Sequence, residues 1–466
     1  MDSEHGEPGK HLRHREYAKN AVVATLVAAT LVTGVIVLAP GSGPEPRRTA
    51  GPVARAQAAT LSGAPAAAPD LTALITDRER WLRKNPEDEA SWAVLGNAYV
   101  QRGTWQLLPK AEHALRRSLE LRPAARGNND AVIGLAALAN ARHDHVTARA
   151  WAQRAQKQRP RRWTVYPALI DAYSGLGDEK SASAAFDRLG TLYTGPRGRA
   201  LAARVYRDFG WREDAAAQAY DAVAVARSPQ ERSAALHTLG DLSWERGDLQ
   251  EALTSYDNAL RLTPGAHGPL ASRARVRAAL GHAEPALRDY RAALAAHPAP
   301  EYAAEAGELY TALGRTTEAG ALRDALRATL DQAAAHGVNV ALPLARWETA
   351  HGSATSAVDR LRGQWQRGHR GAPLADALAW ALFRAGRPED ALPYARIAEK
   401  AQRTPMNSYH LGEIERALGQ YGAARRHLTQ ALRINPHFSP RWAPAARESL
   451  GRLGEPPMGR WARVLR

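Results

Sequence analysis

The feature that most constrains this chain is a period of about 34 residues that runs through most of its length. The clearest unit is Ser233 to Pro264. Leu236, Leu239 and Gly240 fall on one helical face, Gly247-Asp248 makes a turn, and Ala252, Tyr256 and Ala259 line a second helix. The next unit places Ala274, Gly281, Ala286, Tyr290 and Ala293 in the matching places and closes at Pro298, 34 residues after Pro264. Each half carries apolar residues at i, i+3, i+4 and i+7, the spacing of an amphipathic helix. The first helix leaves a small residue where the second must approach. A hairpin of this kind cannot bury its apolar surface alone, so successive units have to stack.

The same pattern can be traced along the chain: Trp92, Leu95, Gly96 and Tyr99; Leu135, Ala136, Ala148 and Ala152; Leu169, Tyr173, Gly177 and Ala182; Tyr206, Gly210 and Ala215. Later come Gly307, Tyr310 and Gly314; Leu344, Ala345 and Gly352; Leu378, Ala379 and Gly386; and Leu411, Gly412, Gly419 and Leu428. With these residues the chain resembles the tetratricopeptide repeat family. That resemblance covers roughly 370 residues and implies an all-α, right-handed superhelical solenoid of about ten helix-turn-helix units over residues 70–436. Three departures stand out. Extra residues lie around Trp105-Gln106-Leu107 and again from Ala333 to Val340, and Glu348 stands where the family usually has an aromatic.

After Pro436, Trp442, Ala445, Ala446 and Leu450 read as one further helix with Arg441, Arg447, Glu448 and Arg452 on its other side. A solenoid needs a polar-faced terminal helix, so residues 437–466 are assigned to a cap and a basic tail. At the other end, Ala21 to Ala39 run without a charge. Nineteen residues of helix span about 28 Å, close to a bilayer core. Lys10, Arg13, Arg15 and Lys19 precede the run; Arg47, Arg48 and Arg55 follow it. The expectation is a single-pass anchor with residues 1–20 in the cytoplasm and the array outside it; secretion after cleavage beyond Ala54-Arg55-Ala56 is the alternative. Residues 40–69, rich in Pro, Ala and Gly, read as a linker.

Composition narrows the function. The chain of 466 residues has no cysteine, which removes disulfides, thiolate metal sites and cysteine nucleophiles. There is no phosphate-binding Gly-rich loop, no HExxH and no G-x-S-x-G. His143-Asp144-His145 sits where other units have their Gly-Asp turn and is read as a turn rather than a metal site; His5, His11 and His14 lie in a polar tail. No enzyme activity, cofactor or metal is expected. The net charge of +16 suits a solvated basic surface and leaves anionic polymers or lipid headgroups as an alternative partner, with nucleic acid disfavoured. From Arg441 to Arg466 alone there are six Arg and two Glu.

The resemblance implies that first helices line a concave groove that takes a protein or peptide. Phase then places Arg204, Arg207, Asp241, Trp244, Arg275, Glu308, Arg346, Trp380, Tyr409 and Glu413 among the inward residues, with Asn97, Asn140, Asp171 and His237. Trp244 and Trp380 are either binding anchors or packing between hairpins. Asp171, Arg204, Asp241, Arg275, Glu308 and Arg346 alternate in sign, which predicts a ladder of ion pairs between neighbouring hairpins. The expected role is a membrane-tethered scaffold of the cell envelope.

Overall fold

The computed structural model describes residues 50–454, and within them there are 23 α-helices and no strand. The helices are set by local signals. Asp88, Asp144, Asp178, Ser228 and Thr404 each precede a helix, and each accepts a hydrogen bond from the backbone N–H three residues on. That satisfies one of the donors a helix start leaves open. Most first helices end at residues with positive φ, among them Gly103, Gly177 and Gly247. Among the described residues the one non-glycine there is His143, at φ 57°. Its place in the His143-Asp144-His145 turn matches the glycine position of the other hairpins.

The helices pair as eleven hairpins followed by the single helix Trp442–Leu453. The first hairpin is Pro52–Ser62 with Ala68–Lys84, so residues 52–62 of the expected linker form a helix, while 40–49 lie outside the described residues. Its first helix buries Ala56 completely against Leu71, Leu74, Val94 and Ala98. The sequence VARAQAATLS hides this because only alanine is needed where two helices lie this close. The run Ala21 to Ala39 and the tail histidines lie outside the described residues. Among the described residues no helix is long and apolar enough to cross a membrane.

Buried residues form a string of clusters along the array, each made by adjacent hairpins, as expected of a repeat structure. Small residues decide how close two helices come. A Cβ on Gly96 would lie 2.5 Å from Leu115 Cγ, and one on Gly412 2.8 Å from Leu428 Cγ. Glu348 does not break its hairpin. It is 8% exposed and takes both its hydrogen bonds from Arg360 of the second helix, at 2.7 and 3.0 Å, so an ion pair fills the aromatic's place.

The array winds back on itself. Asn339 N donates to Arg142 O at 2.8 Å, and Arg370 N to Leu176 O at 3.2 Å. Asn435 Nδ2 donates to Trp244 O at 2.6 Å across 191 residues of sequence. The two insertions meet at this seam. Trp105 lies 4.7 Å from His336, centroid to centroid, and Val338 packs into the same cluster as Trp105 and Leu107. The residues that break the 34-residue period are thus among those that join one turn of the winding to the next.

Candidate binding cavity

The winding of the array leaves a half-open cavity of about 1220 Å³. First helices of successive hairpins supply most of its wall, because their second helices are turned outward by hairpin stacking. Arg204, Asp241 and Arg275 stand on this wall with Asn97, Asn140 and Asp171. The asparagines are committed to structure: Asn140 Nδ2 donates to Ala168 O at 2.9 Å, and Asn97 Nδ2 to Ala93 O at 2.8 Å.

The ion-pair ladder is not formed as expected. Arg204 pairs with Asp171, but Arg275 pairs with Glu305, at 2.6 Å from Nη2 to Oε1. Asp241 is met by Arg207, at 3.9 Å, and by Tyr256 Oη, which donates at 2.8 Å. Arg346 is exposed, with no ion pair among the described residues, and Glu308 accepts from Ser439 Oγ at 2.9 Å. Equal heights thus select the right partner for Arg204 and one three residues off for Asp241 and Arg275.

The aromatic residues also move role. Trp244 is 8% exposed and lies under the Arg275 guanidinium, 5.6 Å away. Trp380 stacks on His410 at 4.0 Å and meets Trp442 of the last helix at 5.7 Å, edge on. Tyr409, 3% exposed, joins the same cluster, and Glu413 is buried and paired with Arg416 at 2.8 Å. These four fasten hairpins and cap and are absent from the main cavity wall. Trp244, Arg275 and Glu308 border a second space of about 310 Å³ beneath the segment 436–447.

Sequence phase did not single out several wall residues. Arg162 pairs with Asp130 across adjacent hairpins. Arg197 donates from Nη1 to Ser62 O at 2.5 Å, at the C-terminus of the first helix, where a cation is favoured. Six histidines face the cavity: His143, His145, His237, His267, His297 and His369. Loss of water, together with the neighbouring His143 and His369, pushes His145 down to about 4; loss of water likewise lowers His369. Behind the wall, Arg207 lies between Asp208, Asp241 and Glu245, at 3.6 to 3.9 Å. Burial lifts Glu245 to about 7, against the pull of Arg207. Burial opposes charge on Asp241, but His237, Arg275 and Arg207 together hold it below its ordinary value. Among the described residues no group of three or more His, Asp or Glu is arranged to hold a metal ion.

With this geometry, comparison with known proteins is direct. Models of the tetratricopeptide repeat match residues 233–265 and 377–440. A crystal structure of a tetratricopeptide repeat protein from Parabacteroides merdae is similar at 21% identity, with a TM-score of 0.34, over 56% of this chain and 99% of that one. No curated protein matches the chain. The described residues form an all-helical array that contains tetratricopeptide repeats, a class whose usual work is to bind other proteins.

Proposed function

We propose that this protein is a tethered scaffold that holds a polypeptide partner against the cavity wall. The observation that carries the reading is the cavity itself. At about 1220 Å³ it exceeds the roughly 300–1000 Å³ of small-molecule sites, and it is lined by the helices that present side chains inward in helical repeats. In this reading Ala21 to Ala39 anchor the chain in a membrane and the array works outside the cytoplasm in the cell envelope. The uncharged run and the surrounding Lys and Arg residues support that placement.

Two experiments test the two halves. A photo-crosslinking residue at Thr164, on the wall, should capture a polypeptide in cells, while one at exposed Tyr421 should not. Equal capture from both positions would remove the cavity from the account. Protease added to intact spheroplasts should digest the array. Full protection would contradict the proposed topology.

A further inference from the structure

We propose that the cavity takes a cationic, extended peptide segment, whose lysine or arginine side chains answer an excess of carboxylates on the wall. This rests on the reading of the cavity as a polypeptide site and adds the chemistry of the partner.

The wall carries six carboxylates, of Asp130, Asp171, Asp208, Asp241, Glu301 and Glu305, and four guanidinium groups, of Arg162, Arg197, Arg204 and Arg275. Three pairs neutralise one another: Asp130 with Arg162, Asp171 with Arg204, and Glu305 with Arg275. Asp208, Asp241 and Glu301 remain against Arg197. Arg197 is already engaged, donating to Ser62 O and lying 5.9 Å from the Trp163 ring. Arg207 leans on Asp208 and Asp241 from behind, and Glu245, 3.7 Å from it and lifted to about 7 by burial, offsets its charge only in part. Counted formally over its own six carboxylates and four guanidinium groups, the wall is two charges negative inside a chain whose net charge is +16, although burial pushes Asp208 up and Arg207 offsets part of the excess from behind. His145 and His267, each lowered to about 4 chiefly by loss of water, add no positive charge at neutral pH.

Two further features suit a peptide. Trp105 Nε1 is buried at the wall without an acceptor, and a peptide carbonyl would supply one. Ile133, Val338, Val340 and Leu342, half-buried at the wall, offer apolar surface on which the stems of lysine or arginine can lie while their heads reach the carboxylates. The opposite charge of the exterior makes the idea discriminating. A cationic peptide is repelled by the outer surface and gains only from the cavity, whereas an anionic one is drawn to the outside.

The test uses the full chain in detergent and three fluorescein-labelled peptides of about 12 residues, roughly 40 Å when extended, in which Ser alternates with Lys, Glu or Asn. Fluorescence anisotropy at pH 7.5 and near-physiological salt gives the affinities. The Lys peptide is expected to bind about tenfold more tightly than the Asn peptide. Glu301→Lys should weaken it at least fivefold without altering the melting temperature, since Glu301 is exposed and holds no ion pair among the described residues. Glu301→Gln should fall between. Any binding of the Glu peptide should be indifferent to both substitutions. An Asn peptide that binds as tightly as the Lys peptide and competes with it would overturn the charge preference while leaving a polypeptide site. If no peptide competes for the cavity or responds to Glu301, both the preference and the polypeptide reading fail.

Discussion

Gly240 and Gly307 occupy equivalent places in their hairpins, yet the structure gives them opposite meanings. A Cβ on Gly240 would run into the Tyr256 ring, so the second helix can approach only because nothing is there. Gly307 has nothing within 4 Å of such an atom. Gly240→Ala should cost about 1–3 kcal/mol through overpacking, while Gly307→Ala should stabilise by about 0.5–1 kcal/mol through helix propensity. Thermal melts of the two variants check this; a stabilised Gly240→Ala would show the packing to be wrong. The histidines give a second expectation. The folded-state pKa of His145, about 4, lies below its ordinary value of 6.5. Its contribution to stability is therefore complete above about pH 6.5 and is lost as the pH falls toward 4. The ring is only partly buried, so solvent screening leaves on the order of 1 kcal/mol. His145→Gln should flatten the decline of melting temperature between pH 7 and 5. An unchanged slope would place the acid sensitivity elsewhere.

At the scale of elements, the helices and most hairpin turns could be read from the chain, since capping residues, glycines and the apolar period all act locally. The first hairpin could not. Ala56 and its neighbours bury no large side chain, so their helix looks like a linker until Leu71 and Leu74 are seen beneath it. The wall was legible only in part. Of the ten groove residues named from phase, Arg204, Asp241 and Arg275 stand on the wall, while Arg207, Trp244, Glu308, Arg346, Trp380, Tyr409 and Glu413 do not. Phase gives no information on the offset between helices, so it chose Glu308 where Glu305 is the partner of Arg275. The cap follows from local pattern. Trp442, Ala446 and Leu450 cover Leu428 and Ala431. A chain ending at Pro436 uncovers that face and loses the Ser439 bond to Glu308. It should aggregate or melt several degrees lower, as uncovering even one or two large side chains costs about 1.5–3 kcal/mol each. A monomeric truncation with an unchanged melting curve would contradict the assignment.

At the scale of the molecule, the seam is what turns a row of hairpins into a container. It is built from irregularities: the extra residues near Trp105, the loop from His336 to Val340, and Asn435 after the last hairpin. A reading based on the period discounts these as departures, and their mutual contact depends on how much each hairpin rotates relative to the last, a quantity that accumulates over the whole array. The proposed partner site depends on this winding, because an unwound array would offer an open surface with no cavity wall. The absence of cysteine allows a direct measurement. Spin labels on Arg246→Cys and His437→Cys flank the contact where a Cβ on Gly247 would lie 3.2 Å from Pro436 Cδ. Electron–electron double resonance should give a narrow distribution below about 25 Å. An array that does not return on itself separates these positions by five hairpins, on the order of 45 Å at 8–10 Å per packed helix, and a broad distribution centred there would contradict the half-open cavity.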